Sequence, residues 1–153
     1  IKGIMEWYKE YETQLPDITE KLLLISQDTL EQYISVFESL RNTKISTKKN
    51  VGKVAASKIL FALRPNVFAP WDNAIIKYYK YGEDGNSYVQ YLLDLKKQLE
   101  FLKTECENQG IDIYRLPIEI GRPISSLPKL IDEFNWVNIT KGCKSKEIIN
   151  RIK

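Results

Sequence analysis

The sequence contains no histidine, and its two cysteines, Cys106 and Cys143, lie far apart with no CxxC pair. The absence of histidine excludes a Ser-His nucleophile. It also argues against a zinc site or an iron–sulfur cluster, which need clustered Cys and His ligands. We therefore expect no metal and no other cofactor. So few cysteines fit a reduced, cytoplasmic protein, and a single disulfide between the two is the alternative.

Long hydrophobic runs are also missing. The longest, LLLI at 22–25 and ILFAL at 59–63, are far too short to span a bilayer, and no signal-peptide pattern is present. Apolar residues nevertheless make up 43% of the 153 residues, which is enough for one folded domain with a core. We interpret 1–153 as a single domain. The chain begins with Ile1 rather than Met, which leaves open whether preceding residues complete the fold.

Acidic residues are absent from one long stretch of the chain. No Asp or Glu occurs between Ser39 and Trp71, whereas seven basic residues do: Arg41, Lys44, Lys48, Lys49, Lys53, Lys58 and Arg64. The net charge of the whole chain is only +3, so the remainder is net negative. Positive charge concentrated in one segment favours an anionic partner, with a solvated lysine loop as the alternative.

Helical periodicity dominates the rest of the sequence. Apolar residues recur every three or four positions, which predicts helices at 3–14, 28–42, 52–63, 126–136 and 145–153, and a long helix that begins at residue 86 or 87 and reaches about residue 108. Asp17 and Asp28 are each followed three residues later by Glu, which predicts a capping box at a helix start. Asp72 is placed to cap a further short helix that begins at Asn73.

Two segments do not fit this periodicity. Residues 42–50 are polar and basic and predict a loop. Residues 111–124 predict short strands or an extended linker, because Pro117 and Pro123 disfavour a helix. The fold class that we predict is all-α, a compact domain of about seven to eight helices. It includes a helix-hairpin-helix-like element around residues 28–64.

The turn KKNVGK at 48–53 stands at the start of a predicted helix. Asn50 and Gly52 both tolerate positive φ, as a tight hairpin requires. The amides at a helix start lack partners and bind phosphate. The turn therefore predicts contacts to a nucleic-acid backbone, made by Lys48, Lys49, Asn50, Gly52 and Lys53.

The segment from Val51 to Tyr79, with this turn, resembles the helix-hairpin-helix DNA glycosylase superfamily, the endonuclease III-like proteins of base excision repair. KKNVG at 48–52 aligns with the family's hairpin, and PWDNAI at 70–75 aligns with the segment whose catalytic aspartate caps a helix. The resemblance covers about 30 of the 153 residues. It implies double-stranded DNA as the partner and Asp72 as the catalytic residue.

The sequence departs from the family pattern at several positions. Lys49 and Asn50 replace the family's Pro-Gly, and Val54 aligns with the Schiff-base lysine of bifunctional members. Lys58, one helical turn further on, is the candidate substitute. Without a lysine at the aligned position, the resemblance implies hydrolysis of an N-glycosidic bond without lyase chemistry. The aromatic candidates for a base pocket or for stacking are Phe68, Trp71, Tyr78 and Tyr79.

Each of these interpretations has an alternative. Asp72 could serve only as a helix cap, Phe68 and Trp71 could lie in the core, and Lys58 could extend into solvent. At the level of function, the alternatives are a non-catalytic helix-hairpin-helix module that binds DNA or a protein partner, and a chance likeness within an unrelated all-α protein.

Overall fold

The computed structural model describes residues 2–141, whose regular secondary structure is helical apart from one small hairpin. The predicted all-α class is confirmed. The α-helices are α1 (Lys2–Tyr11), α2 (Gln27–Asn42), α3 (Lys53–Leu63), α4 (Asn73–Tyr79), α5 (Gly85–Asn108), α6 (Leu116–Glu119) and α7 (Leu127–Lys141). Strands β1 (Lys44–Ser46) and β2 (Lys49–Asn50) form the hairpin. Short 3-10 turns lie at Glu12–Gln14, Leu22–Leu24 and Ile113–Arg115. The predicted helix 145–153 lies outside the described residues.

Helix α5 is the centre of the core. Helix α2 packs along one side of it, and α7 packs on another. Where these helices meet, Phe37 stacks on Tyr88 with ring centroids 4.3 Å apart, and Trp71 fills the space beside both. All three side chains are fully buried. Among residues 2–141, no helix is both long enough and apolar enough to cross a membrane.

Gly85 lets the N-terminus of α5 approach α2 closely. A Cβ at this position would lie 2.7 Å from the Ile34 carbonyl oxygen. We expect Gly85→Ala to lower the free energy of unfolding by about 1–2 kcal/mol, because the backbone clash outweighs the gain of up to about 1 kcal/mol in helix propensity. Urea denaturation measures this change.

Gly82→Ala is the matched control for this substitution. There the closest atom to an added Cβ is the Ser87 hydroxyl oxygen, at 2.6 Å, on a side chain that can rotate away. Its effect should stay within about 0.5 kcal/mol, the range of ordinary surface changes. Equal losses in the two variants would contradict the close approach at Gly85.

Two predicted helix starts are wrong. Helix α2 is capped by Ser26, whose Oγ accepts from the Thr29 amide, and Asp28 lies inside the first turn. Asp17 begins no helix, because its Oδ1 accepts from the Thr19 amide at 2.8 Å and closes a local turn instead. A short acidic or hydroxyl side chain can satisfy either a turn or a cap, and the D-x-x-E spacing does not distinguish them.

The segment 111–124 contains neither strands nor an extended linker. It forms a 3-10 turn and the short helix α6, in which Pro117 lies in the first turn. A proline is tolerated at that position because the first amides of a helix have no intrahelical acceptor. Helix α5 also begins earlier than predicted, at Gly85, because Asp84 accepts from the Ser87 amide and caps it.

The predicted loop 42–50 is an antiparallel β-hairpin. Lys44 pairs with Asn50 and Ser46 pairs with Lys49. The base of the hairpin is closed by two further bonds, from the Val51 amide to Thr43 O and from the Gly52 amide to Arg41 O, each 2.9 Å long. The element predicted around residues 28–64 therefore consists of α2, a β-hairpin and α3.

Candidate functional site

A groove of about 480 Å³ contains both residues that the sequence predicts to be catalytic. Lys58 reaches it from α3. Asp72 reaches it from the link between α3 and α4, residues 64–72. The remaining lining residues are Pro70, Arg122, Lys129, Asp132, Glu133, Trp136 and Val137. The opposite wall thus comes from α7 and the turn before it, whose groove residues follow Asp72 by 50–65 positions in the sequence.

Asp72 caps α4 with only one of its two carboxylate oxygens. Its Oδ1 accepts from the Ile75 amide at 2.9 Å, as the sequence predicts for a cap. Its Oδ2 has no hydrogen-bond partner within residues 2–141. Capping therefore leaves a carboxylate oxygen for the groove, and the two roles of Asp72 are compatible.

Hydroxyl groups hold the backbone of the link that leads to Asp72. Three consecutive residues are bonded: Ala69 O accepts from Tyr88 Oη (2.9 Å), Pro70 O accepts from Tyr91 Oη (3.1 Å), and the Trp71 amide donates to Ser57 Oγ (2.9 Å). The three side chains are buried in α5 and α3. These bonds tie the backbone directly before Asp72 to α3 and α5, so the core positions Asp72.

Asp132 supplies a second carboxylate to the groove and was missed by the sequence prediction. It is only 5% exposed; its Oδ1 accepts from Tyr91 Oη at 2.9 Å and its Oδ2 accepts from Lys129 Nζ at 2.8 Å. Burial raises the pKa of the Asp132 carboxyl, against the opposing effects of Lys129 and Tyr91, and the nearby charge of Asp72 adds to the rise. Lys129 lies one turn away on the same helix, a spacing that is common on solvated helix surfaces, whereas Tyr91 comes from α5, so only the tertiary structure shows that Asp132 is buried.

Most charged side chains in the groove are paired with one another. Arg122 pairs with Glu133 at 2.7 Å, and Lys129 pairs with both Asp132 and Glu133. Lys58 and Asp72 form no ion pair with any described residue. The groove therefore has one unpaired ammonium and one unpaired carboxylate, and these are the two residues predicted to be catalytic.

The four predicted aromatic residues divide into two pairs. Phe68 and Trp71 are fully buried, which is the core position given as the alternative. The Trp71 indole N–H has no acceptor within the described part of the chain. Tyr78 is 62% exposed and Tyr79 is 41% exposed, and the two rings meet edge to face at 5.1 Å. Only Tyr78 and Tyr79 can therefore be reached by a ligand without opening the core.

The basic stretch is partly neutralised by the fold. Three of its members have partners: Lys53 pairs with Glu83, Arg41 pairs with Glu38, and the Arg64 guanidinium donates to Pro16 O. The hairpin lysines Lys44, Lys48 and Lys49 are exposed and form no ion pair among residues 2–141. Apart from Arg64, whose carbonyl partner leaves its charge uncompensated within the described part of the chain, the unpaired positive charge of this stretch lies on the hairpin and on Lys58 in the groove.

The start of α3 keeps part of the predicted phosphate-binding character. Gly52 adopts a φ of 77° and provides no side-chain cap, so the first amides of α3 have no side-chain acceptor. The Gly52 amide itself is already bonded to Arg41 O. Phosphate contact at this turn would therefore come from the amides after Gly52 and from the side chains of Lys48 and Lys49.

Comparison with known proteins gives no match. No family model, no curated protein and no solved structure matches this chain. The interpretation of the groove and of the hairpin therefore rests on their own geometry and charge.

Proposed function

We propose that the protein binds double-stranded DNA through its basic hairpin and hydrolyses the N-glycosidic bond of a base that has been flipped out of the duplex. One observation carries this proposal: the only charged groove residues without an ion pair, among those described, are Asp72 and Lys58. An unpaired carboxylate on a rigid support is suited to stabilise positive charge as it develops.

Asp72 acts on the sugar in this proposal. As the bond between C1′ and the base nitrogen breaks, the base takes the electron pair and positive charge develops on the sugar. The free Oδ2 of Asp72 faces that charge and accepts the proton of the water that adds to C1′. Lys58 supplies a positive charge for the departing base. No lyase step is included, because Val54 stands where bifunctional relatives align a lysine.

The experiment uses the full chain and duplex oligonucleotides that carry uracil, 8-oxoguanine, alkylated bases or mismatches. Base release is measured as strand breakage after alkali, with an Asp72→Asn preparation made in parallel to detect contaminating activity. Breakage that appears with the native chain and disappears with Asp72→Asn supports the proposal. Absence of breakage on every duplex overturns it.

A second candidate function is a non-catalytic module that binds DNA or a protein partner. It is favoured by Val54 at the lysine position and by Lys49 and Asn50 where the glycosylase superfamily has Pro-Gly. The same experiment separates the two functions, because tight duplex binding without base release on any duplex supports the module.

The hairpin lysines should dominate DNA affinity in either case. Lys48→Ala combined with Lys49→Ala is expected to reduce the slope of log affinity against log salt by about 2, since each phosphate contact contributes about 0.9 to that slope. Fluorescence anisotropy with a labelled duplex at several salt concentrations measures the slope.

The matched control, Lys9→Ala combined with Lys103→Ala, removes two exposed lysines that lie on helices α1 and α5 instead of on the hairpin. It makes the same change in net charge and should leave the slope close to that of the native chain. If both double variants flatten the slope equally, the binding is a general charge effect and the hairpin is not the contact surface.

A further inference from the structure

A second cavity, of about 300 Å³, lies on the other side of Tyr91 from the groove. Tyr79, which the sequence predicts to contact a base, lines this cavity and not the groove that contains Asp72. The residues that line the second cavity include Tyr79, Tyr81, Tyr91, Asp94, Gln98 and Asn135. The ring of Tyr91 lines this cavity, while its hydroxyl bonds to Pro70 and Asp132, which line the groove. Tyr91 therefore lies between the two cavities, and Asp72 does not line the second one.

Three tyrosine rings form the apolar part of this cavity. The centroids of Tyr79 and Tyr81 are 5.8 Å apart, and those of Tyr81 and Tyr91 are 6.0 Å apart. Tyr81 is fixed by its hydroxyl, which donates to Asp94 Oδ2 at 2.6 Å. The ring of Tyr79 remains partly exposed and is supported on its edge by Tyr78. These rings offer a fixed surface on which a planar ligand can stack.

Two amide side chains form the polar part of the cavity. Asn135 is only 5% exposed, and its Nδ2 donates to Gln98 Oε1 at 2.9 Å. The other polar side-chain atoms of the two amides, Asn135 Oδ1 and Gln98 Nε2, then have no partner among the described residues. If both amides were turned over, the bond would run the other way and one donor and one acceptor would still be free.

We propose that this cavity binds a nucleobase, stacked on Tyr79, with its hydrogen-bonding edge on the amide pair of Gln98 and Asn135. Nucleobases carry adjacent donors and acceptors on their edges, and proteins recognise unpaired bases by combining aromatic stacking with amide contacts. A cavity of this size lies at the lower limit for small-ligand sites. The base belongs either to a free nucleoside or to an unpaired position in a nucleic-acid strand.

The test measures binding by calorimetric titration of the full chain with adenosine, with cytidine and with a single-stranded oligonucleotide. Ribose 5-phosphate is the control ligand because it has no base. Binding of the nucleosides but not of ribose 5-phosphate identifies a site for free bases. Binding of the oligonucleotide alone, weakened by Tyr79→Ala, identifies a site for a base within a strand. If no probe binds, or if ribose 5-phosphate binds as well as adenosine, the proposal is overturned.

Substitutions locate the binding within the cavity. Tyr79→Ala is expected to weaken binding about tenfold through lost stacking, and Tyr79→Phe should retain it because the ring remains. Gln98→Glu keeps an acceptor for Asn135 but removes the donor, and should also weaken binding about tenfold. Phe101→Ala is the control, because Phe101 is an exposed aromatic residue of α5, the helix that carries Gln98, and does not line the cavity. Native affinity in Tyr79→Ala would overturn the proposal.

This inference does not rest on base release at Asp72. Asp72→Asn should bind the probes with native affinity, so a protein without glycosylase activity could still bind a nucleobase here. Conversely, base release that persists in Tyr79→Ala while probe binding is lost would support two separate sites.

Discussion

Asp72→Asn is expected to lower base release by about a hundredfold or more, the loss that follows removal of one fixed electrostatic contact to a transition state. The substitution removes the negative charge that faces the sugar. It leaves an amide oxygen that can still accept from the Ile75 amide, since Asn and Asp are similarly good helix caps. The fold should therefore be retained, and single-turnover rates of base release measure the loss directly.

Asp84→Asn is the matched control for this loss. Asp84 caps α5 by accepting from the Ser87 amide at 2.8 Å and is exposed outside the groove. The control thus removes the same charge from an equivalent capping position, and its activity should equal that of the native chain. An equal loss in both variants, or a fall in thermal stability that accounts for the loss, would contradict a catalytic role for Asp72.

Trp71→Ala is expected to lower the free energy of unfolding by about 3–5 kcal/mol, as other truncations of large buried aromatics do. The indole of this link residue is fully buried. It is surrounded by the rings of Phe37, Tyr81, Tyr88 and Tyr91, at centroid distances of 5.5–6.1 Å. Its removal leaves a cavity that these fixed neighbours cannot fill. Urea denaturation measures the change, with the slope of the transition showing whether the folded state stays compact.

Trp71→Phe separates packing from hydrogen bonding at the same position. Phenylalanine keeps much of the apolar volume and removes the indole N–H, which has no acceptor among residues 2–141. An unsatisfied buried donor costs about 1–3 kcal/mol, so its removal offsets part of the lost packing. We expect a loss less than half of that in Trp71→Ala. Equal losses would mean that the N–H does have a partner.

The sequence predicts one wall of the groove and not the other. Asp72 stands after a proline link at a helix start, and Lys58 lies on the helix before it, so local pattern and spacing find both. Asp132 and Lys129 come from α7, which reaches the groove only because it packs against α4 and α5. The two residues pair with each other within one turn of α7, a spacing that is common on solvated helix surfaces, so the local sequence does not show that Tyr91 contacts this pair or that the pair lines the groove.

The aromatic residues show a second limit of local pattern. Trp71 and Tyr79 both stand in short segments rich in apolar residues, but one is fully buried and the other is 41% exposed. What distinguishes them is the position of α5, whose Tyr88 and Tyr91 bond the link and so draw Trp71 inward. Periodicity predicts that α5 has an apolar face, but not which neighbouring segment that face covers.

The hydroxyl of Tyr91 has one proton and two acceptors, Pro70 O and Asp132 Oδ1. Burial, reinforced by Asp132, raises the pKa of Tyr91 well above its usual range, so the phenol keeps its proton. When Asp132 is ionised, that proton turns towards the carboxylate. Lys129 Nζ donates to the other carboxylate oxygen, Oδ2, so each oxygen of Asp132 has one donor. Tyr91 therefore connects a buried carboxyl of the groove to the backbone that presents Asp72.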